Sequence, residues 1–202
     1  TSLYTSNLIT RNLFNMSGMF EDCNELRSLD VSKFDTRDVE DMSRLFKGCS
    51  LITTIKFVQF ITNKVKDMSY MFAECNSLLS LDLSLFNTEK VEDMSYMFQY
   101  CGSLTELNLL NFKTGKVKLM NNMFQYCKKI TNIKQDFDTS NVLNISHMFE
   151  ECQSVSKIDV SKVKTDNIKD MSYLFSLSYF ITSLDVSNFD TSNVEDMSYM
   201  FN

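Results

Sequence analysis

A single histidine, His147, serves the whole 202-residue sequence, and no CxxC pair occurs among its cysteines. Zinc-type sites built on imidazole or paired thiolates therefore lack a ligand set. No stretch of about 18 apolar residues is present, so no segment is expected to span a bilayer. Basic clusters are missing too: the formal charge is −6, with Lys and Arg scattered along the chain. That distribution excludes the footprint of a nucleic-acid or anionic-membrane binder. Around His147 no nucleophile or acid–base constellation can be assembled, so the sequence is expected to belong to no enzyme and to need no cofactor or metal. The first residues carry no signal-peptide pattern.

What is present is a repeat. Phenylalanines fall at Phe20, Phe46, Phe72, Phe98, Phe124, Phe149, Phe175 and Phe201, in steps of 26 with one of 25. Cysteines follow three residues later at Cys23, Cys49, Cys75, Cys101, Cys127 and Cys152, with Ser178 in the next slot. Threonine recurs from Thr10 to Thr191 in all eight coils. Methionine fills another column at Met16, Met42, Met68, Met94, Met120, Met171 and Met197, with Ile145 standing in once. One residue is missing between Ile133 and Phe137, since columns on both sides stay in register. A fixed period of this length is the signature of a stacked-repeat architecture.

One coil shows the expected local structure. From Leu81, apolar and polar residues alternate through Ser84, the period of two of a strand. A polar turn, Asn87 to Lys90, drops Val91 inward. Met94, Met97, Phe98 and Cys101 then follow at i, i+3, i+4 and i+7, the apolar stripe of a helix. Asp93 sits where an N-cap belongs, and Asn15, Asp41, Asp67, Asn144, Asp170 and Asp196 hold the same slot. Leu119 does not, so the weakest helix start is expected at Met120. The pattern predicts an α/β repeat solenoid, leucine-rich-repeat-like, with short parallel strands on one face and short helices on the other. Leu3, Leu8 and Leu13 match the columns of Leu29, Phe34 and Val39. Residues 1–202 are accordingly expected to form one array of about eight coils, truncated mid-repeat at both ends and excerpted from a longer protein.

The block from Ile181 to Phe201, Ile-x-x-Leu-Asp-Val-Ser-Asn-Phe-Asp-Thr-Ser-Asn-Val-Glu-Asp-Met-Ser-Tyr-Met-Phe, resembles the BspA-type leucine-rich repeat. That family is common in surface proteins of bacteria, mycoplasmas among them, and of some protists. The resemblance runs along the whole chain, departing at Ser178, Val163, Leu119 and the deletion near Gln135. It implies a cell-surface or secreted protein engaged in adhesion, with a host or neighbouring-cell surface protein as partner.

Each conspicuous column has a plain structural reading. The cysteines, at i+7 of the apolar face, are expected to point inward as free thiols, and the methionines to fill core. His147 shares a column with Arg44, Tyr70, Tyr96, Asn122, Tyr173 and Tyr199 and is expected to face outward without a partner. Asp185 and Asp190 hint at calcium, but their spacing is wrong for an EF-hand loop. Asn15 and Asn144 begin glycosylation sequons, yet both lie in the capping slot. The threonine column is expected to be a buried ladder, each hydroxyl bonded to backbone of its own or the next coil.

Specificity is then left to the outward positions. One column runs Tyr4, Asp30, Lys56, Asp82, Asn108, Lys134, Asp159 and Asp185, where cross-strand ion pairs of Lys56 with Asp30 or Asp82, and of Lys134 with Asp159, are available. The next runs Ser6, Ser32, Val58, Ser84, Leu110, Ser161 and Ser187. Val58 and Leu110, with Leu79 and Leu85 nearby, are expected to form an apolar patch on the sheet face. On the opposite face, Tyr70, Tyr96, Tyr173 and Tyr199 are the candidate anchors. The reading is a non-catalytic, surface-displayed protein-binding module; the alternative is an architectural scaffold, intracellular or in the cell envelope, with no dedicated ligand.

Overall fold

Short stretches of parallel pairing hold the chain together, and nearly all of it joins residues one repeat apart. The computed structural model describes residues 3, 5 and 8–202; Tyr4 and Ser6, the first members of the two outward columns, lie outside the described residues. Four three-residue strands occur: β1 (Ser28–Asp30), β2 (Thr54–Lys56), β3 (Glu106–Asn108) and β4 (Asn132–Lys134). β1 pairs with β2 and β3 with β4, both parallel, with Leu29 opposite Ile55 and Leu107 opposite Ile133. The intervening residues 80–82 belong to neither sheet. A second line of parallel bridges runs from Asn15 through Asp41, Asp67, Asp93, Leu119, Asn144 and Asp170 to Asp196. Identical columns thus lie one above another.

The expected helices do not form: no helix occurs among the described residues, which overturns the α/β solenoid with a helical face. From Met94 to Cys101 the N–H groups alternate between two kinds of acceptor. Met94, Tyr96, Phe98 and Tyr100 donate to the carbonyls of Leu119, Asn121, Met123 and Gln125 in the next coil, at 2.9–3.0 Å. Met97, Gln99 and Cys101 donate three residues back, to Met94, Tyr96 and Phe98, at 3.3, 3.0 and 3.1 Å. Tyr96 and Tyr100 have φ of 60° and 58° at the third position of their turns, as a type II turn requires. Two consecutive four-residue turns place the first and last residue of each inward, at i, i+3, i+4 and i+7. A helix face uses those same positions, and this is why the sequence reads as helical. The chain's absence of proline fits this bonding, because a proline would remove one of the ladder donors.

The Asp slot is correspondingly not a helix cap. Asp93 Oδ1 accepts the N–H of Ser95 at 2.8 Å and its hydroxyl at 2.6 Å, closing a turn on the chain two residues ahead. Asp41, Asn144 and Asp170 close the same turn. Leu119 has no such group, yet its backbone stays in the ladder between Asp93 and Asn144.

The core consists of the inward columns. Seven successive contacts stack the phenylalanines from Phe20 to Phe201 at 5.5–5.9 Å between ring centres. Met68, Met94, Met120, Val65, Val91 and Val117 are all fully buried. The lost residue falls between β4, still 26 residues from β3, and Asp138, whose carbonyl accepts the Thr114 hydroxyl 24 residues away. Val163 occupies a slot that holds Phe in the neighbouring coils, and a cavity of about 20 Å³ lies among Val163, Phe137, Phe175 and Phe189. The smaller side chain leaves the space that a ring fills elsewhere.

Candidate functional site

Once the buried columns are assigned, two faces remain. On the sheet side, Val58, Leu79, Leu85 and Leu110 are 66, 57, 59 and 53% exposed. Elsewhere their columns carry Ser, Thr, Asn, Gln, Lys, Arg or Asp, so burial does not explain them. Val58 and Leu110 lie in the coils on either side of Leu85. Leu79 sits six residues before Leu85 in the same coil. Between them a groove of about 310 Å³ is lined by Ser80, Leu81, Asp82, Glu106, Leu107 and Asn132, where residues 80–82 leave strand pairing.

Most of the outward aspartates are turned back on their own backbone. Asp30, Asp82, Asp159 and Asp185 each accept the N–H of the residue two ahead, at 2.9–3.0 Å. Hydrogen bonds from those serines hold all four carboxyls below the usual aspartate value. Of the expected cross-strand pairs, Lys56 reaches Asp30 at 4.0 Å; among the described residues no ion pair joins Lys56 to Asp82 or Lys134 to Asp159. Asp185 and Asp190 close separate turns on Ser187 and Ser192. No group of three or more His, Cys, Asp or Glu residues that could hold a metal is found among the described residues.

On the opposite face the tyrosines occupy left-handed positions in turns rather than a helix surface: Tyr70, Tyr96, Tyr173 and Tyr199 have φ of 55–60°. Tyr70 stacks on Tyr96 at 4.2 Å, with the Arg44 guanidinium over the outer face of the pair at 5.6 Å from the Tyr70 ring centre. Burial first, then the neighbouring Tyr96, pushes the Tyr70 phenol up to about 12. Tyr173 lies between His147, at 4.6 Å, and Tyr199, at 4.8 Å. The two tyrosine pairs are separated by the coils of Asn122 and His147.

His147 is not the unpartnered surface residue expected from its column. Its Nδ1 lies 2.8 Å from Oε2 of Glu150, which is 8% exposed and also accepts from Gln125. Gln125 in turn accepts from Asn122 and Gln99, forming a buried polar chain across three coils. A second aromatic column, Tyr100 on Tyr126 at 4.5 Å with Lys128 over Tyr126, is a further feature that the sequence reading missed. Its signal was available: both tyrosines stand four residues after the first column and share its turn position.

The asparagines of the sequons are engaged within the fold. Asn15 Nδ2 donates to Asp41 at 3.1 Å, and Asn144 Nδ2 to Asp170 at 3.3 Å, while each amide oxygen closes its own turn. In the run Asp41, Asp67, Asp93 no such amide intervenes, and burial with the nearby Asp67 charge raises the Asp93 carboxyl.

The cysteines point inward, as their spacing predicts. Cys49, Cys75, Cys101, Cys127 and Cys152 donate to the carbonyls of Phe20, Phe46, Phe72, Phe98 and Phe124 at 3.1–3.3 Å. Ser178 makes the equivalent bond to Phe149 at 2.6 Å. Burial pushes the Cys49 thiol up to about 12 and those of Cys75, Cys101, Cys127 and Cys152 well above the usual value. Since the thiolate is the nucleophile, these five should resist iodoacetamide in the native protein at neutral pH, whereas half-buried Cys23 should react. Intact-mass measurement should then count six modified cysteines after denaturation without reductant; two or more missing would mean disulfides, and rapid native labelling of Cys101 would mean an open core.

The chain contains no helix long and apolar enough to cross a membrane among its described residues. Neither a curated protein nor a solved structure matches it. A family model described as "Mycoplasma protein of unknown function, DUF285" matches residues 14–132, 51–158 and 128–202 in overlapping placements. Overlapping matches of one model are the mark of a repeated unit, in agreement with the columns, although they do not carry the narrower BspA-type assignment. With almost the whole length accounted for in this way, the chain belongs to the mycoplasma repeat family DUF285.

Proposed function

We propose that the chain is a non-catalytic protein-binding module whose partner rests on the sheet side, around Val58, Leu85 and Leu110. The observation that carries this reading is the exposure, by more than half, of large aliphatic side chains in columns that are polar in other coils. The tyrosine face supports it less. Its rings lie against one another, so much of their aromatic surface is spent within the ladder. The similarity of the Ile181–Phe201 block to BspA-type repeats supports display at the cell surface or secretion, with adhesion as the setting. A scaffold without a dedicated ligand is the second reading, favoured by the unbroken line of bridges along the stack.

The test compares two double variants. Val58→Ser with Leu110→Ser restores the serine column and should shift stability by no more than about 0.5 kcal/mol per site. Tyr70→Ser with Tyr96→Ser removes aromatic anchors from the other face. Captures from host-cell surface extract are compared with those of the unaltered chain. Loss with the first variant alone is the expected outcome. Loss with the second alone would move the site to the tyrosine face, and capture of nothing by the unaltered chain would replace the module with the scaffold.

A further inference from the structure

The polar turn around each threonine carries a net charge whose sign changes from every coil to the next. Counted from the residue before the threonine to the fourth after it, the Thr10 turn is positive through Arg11, and the Thr36 turn is negative through Asp35, Asp38 and Glu40 against Arg37. The Thr62 turn is positive through Lys64 and Lys66, the Thr88 turn negative through Glu89 and Glu92 against Lys90, and the Thr114 turn positive through three lysines. The Thr139, Thr165 and Thr191 turns continue as negative, positive and negative, so all eight alternate. Ion pairs follow the alternation. Lys64 meets Asp38 and Lys66 meets Glu40, both at 2.6 Å, while Lys118 meets Glu92 at 2.7 Å and Lys169 meets Glu195 at 3.4 Å. Each of these pairs joins successive coils.

We infer that this alternating edge is a stacking code: it sets which coil may lie on which. The core cannot supply that information, because the Phe, Met, Cys and Thr columns are nearly identical in every coil. A coil that skipped its neighbour, or stacked on a coil of a second chain, would find the same rings and hydroxyls waiting. The charged edge distinguishes the cases. Successive coils attract, whereas a slip by one coil brings like charge onto like. The individual pairs are exposed and contribute little to stability; their effect lies in the difference between attraction in the right order and repulsion in the wrong one.

The test uses the 202-residue chain, refolded from denaturant and resolved by size-exclusion chromatography with light scattering. Glu89→Lys with Glu92→Lys makes three successive turns positive; Glu89→Gln, Lys90→Gln and Glu92→Gln together remove the same Lys118–Glu92 pair and leave the turn without charge. At about 0.02 M salt, where screening reaches only beyond about 20 Å, recovery of the species formed by the unaltered chain should fall about threefold or more with the Lys variant, and should return at about 0.5 M. The Gln variant should behave as the unaltered chain at both concentrations. Three outcomes would overturn the code: full recovery of the Lys variant at low salt, a loss that salt does not repair, or an equal loss with the Gln variant.

Discussion

Replacing Phe98 by Ala is expected to cost about 3–5 kcal/mol of unfolding free energy, at the upper end of single-site effects. Phe98 is fully buried, 5.7 Å from the ring centres of both Phe72 and Phe124 and within 4° of parallel to each. The ladder bonds from Phe72 to Met97 and from Phe98 to Met123 fix the backbone above and below, so the coils cannot collapse into the void. Phe201, in the same column, is 63% exposed, and Phe201→Ala should cost far less. Urea unfolding followed by circular dichroism measures both. A change below about 1 kcal/mol for Phe98→Ala, or equal changes for the two, would contradict the stacked core.

The second large effect concerns a hydroxyl. Thr88 Oγ1 donates to the Lys113 carbonyl at 3.0 Å and accepts the Lys113 N–H at 2.7 Å, with the side chain fully buried. Thr36, Thr62 and Thr139 make the same pair of bonds to the backbone of the following coil. Thr88→Val keeps the shape and strands both Lys113 groups, and should cost about 2–4 kcal/mol. Thr88→Ser keeps the hydroxyl and loses one methyl, for about 1 kcal/mol. The order of the two variants is the decisive result: if Val proves the milder change, the column is apolar filling and not a hydrogen-bonded ladder.

The columns that pack inward were legible because side-chain direction follows from spacing, whatever backbone provides it. Phe98, Cys101, Met94 and Thr88 are buried as their columns require. Backbone conformation was not legible from the same signal, since two four-residue turns and one helix bury identical positions. The discriminating residues were Gly18 and Gly48, two of the four glycines in the chain, with φ of 62° and 73° in the turn columns later filled by tyrosine. A helix gains nothing from glycine there, whereas a left-handed turn position does. The candidate surface was readable in part. Val58, Leu79, Leu85 and Leu110 are exposed as expected, whereas the contact of His147 with Glu150 went unread, although side chains three residues apart meet in a helix as well as in these turns.

The alternation of N–H partners along the turn side bears on how such chains vary in length over evolution. Every second amide there serves the next coil and the others serve their own, so losing one residue would exchange the two roles for the remainder of the coil. Between β4 and Thr139 no such parity operates; Gln135 spans the connection by accepting the Phe137 N–H and donating to the Asp159 carbonyl. The one-residue deletion in this chain falls there. Relatives that gain or lose single residues should do so on that side of the coil, while changes on the turn side should come in pairs or as whole repeats.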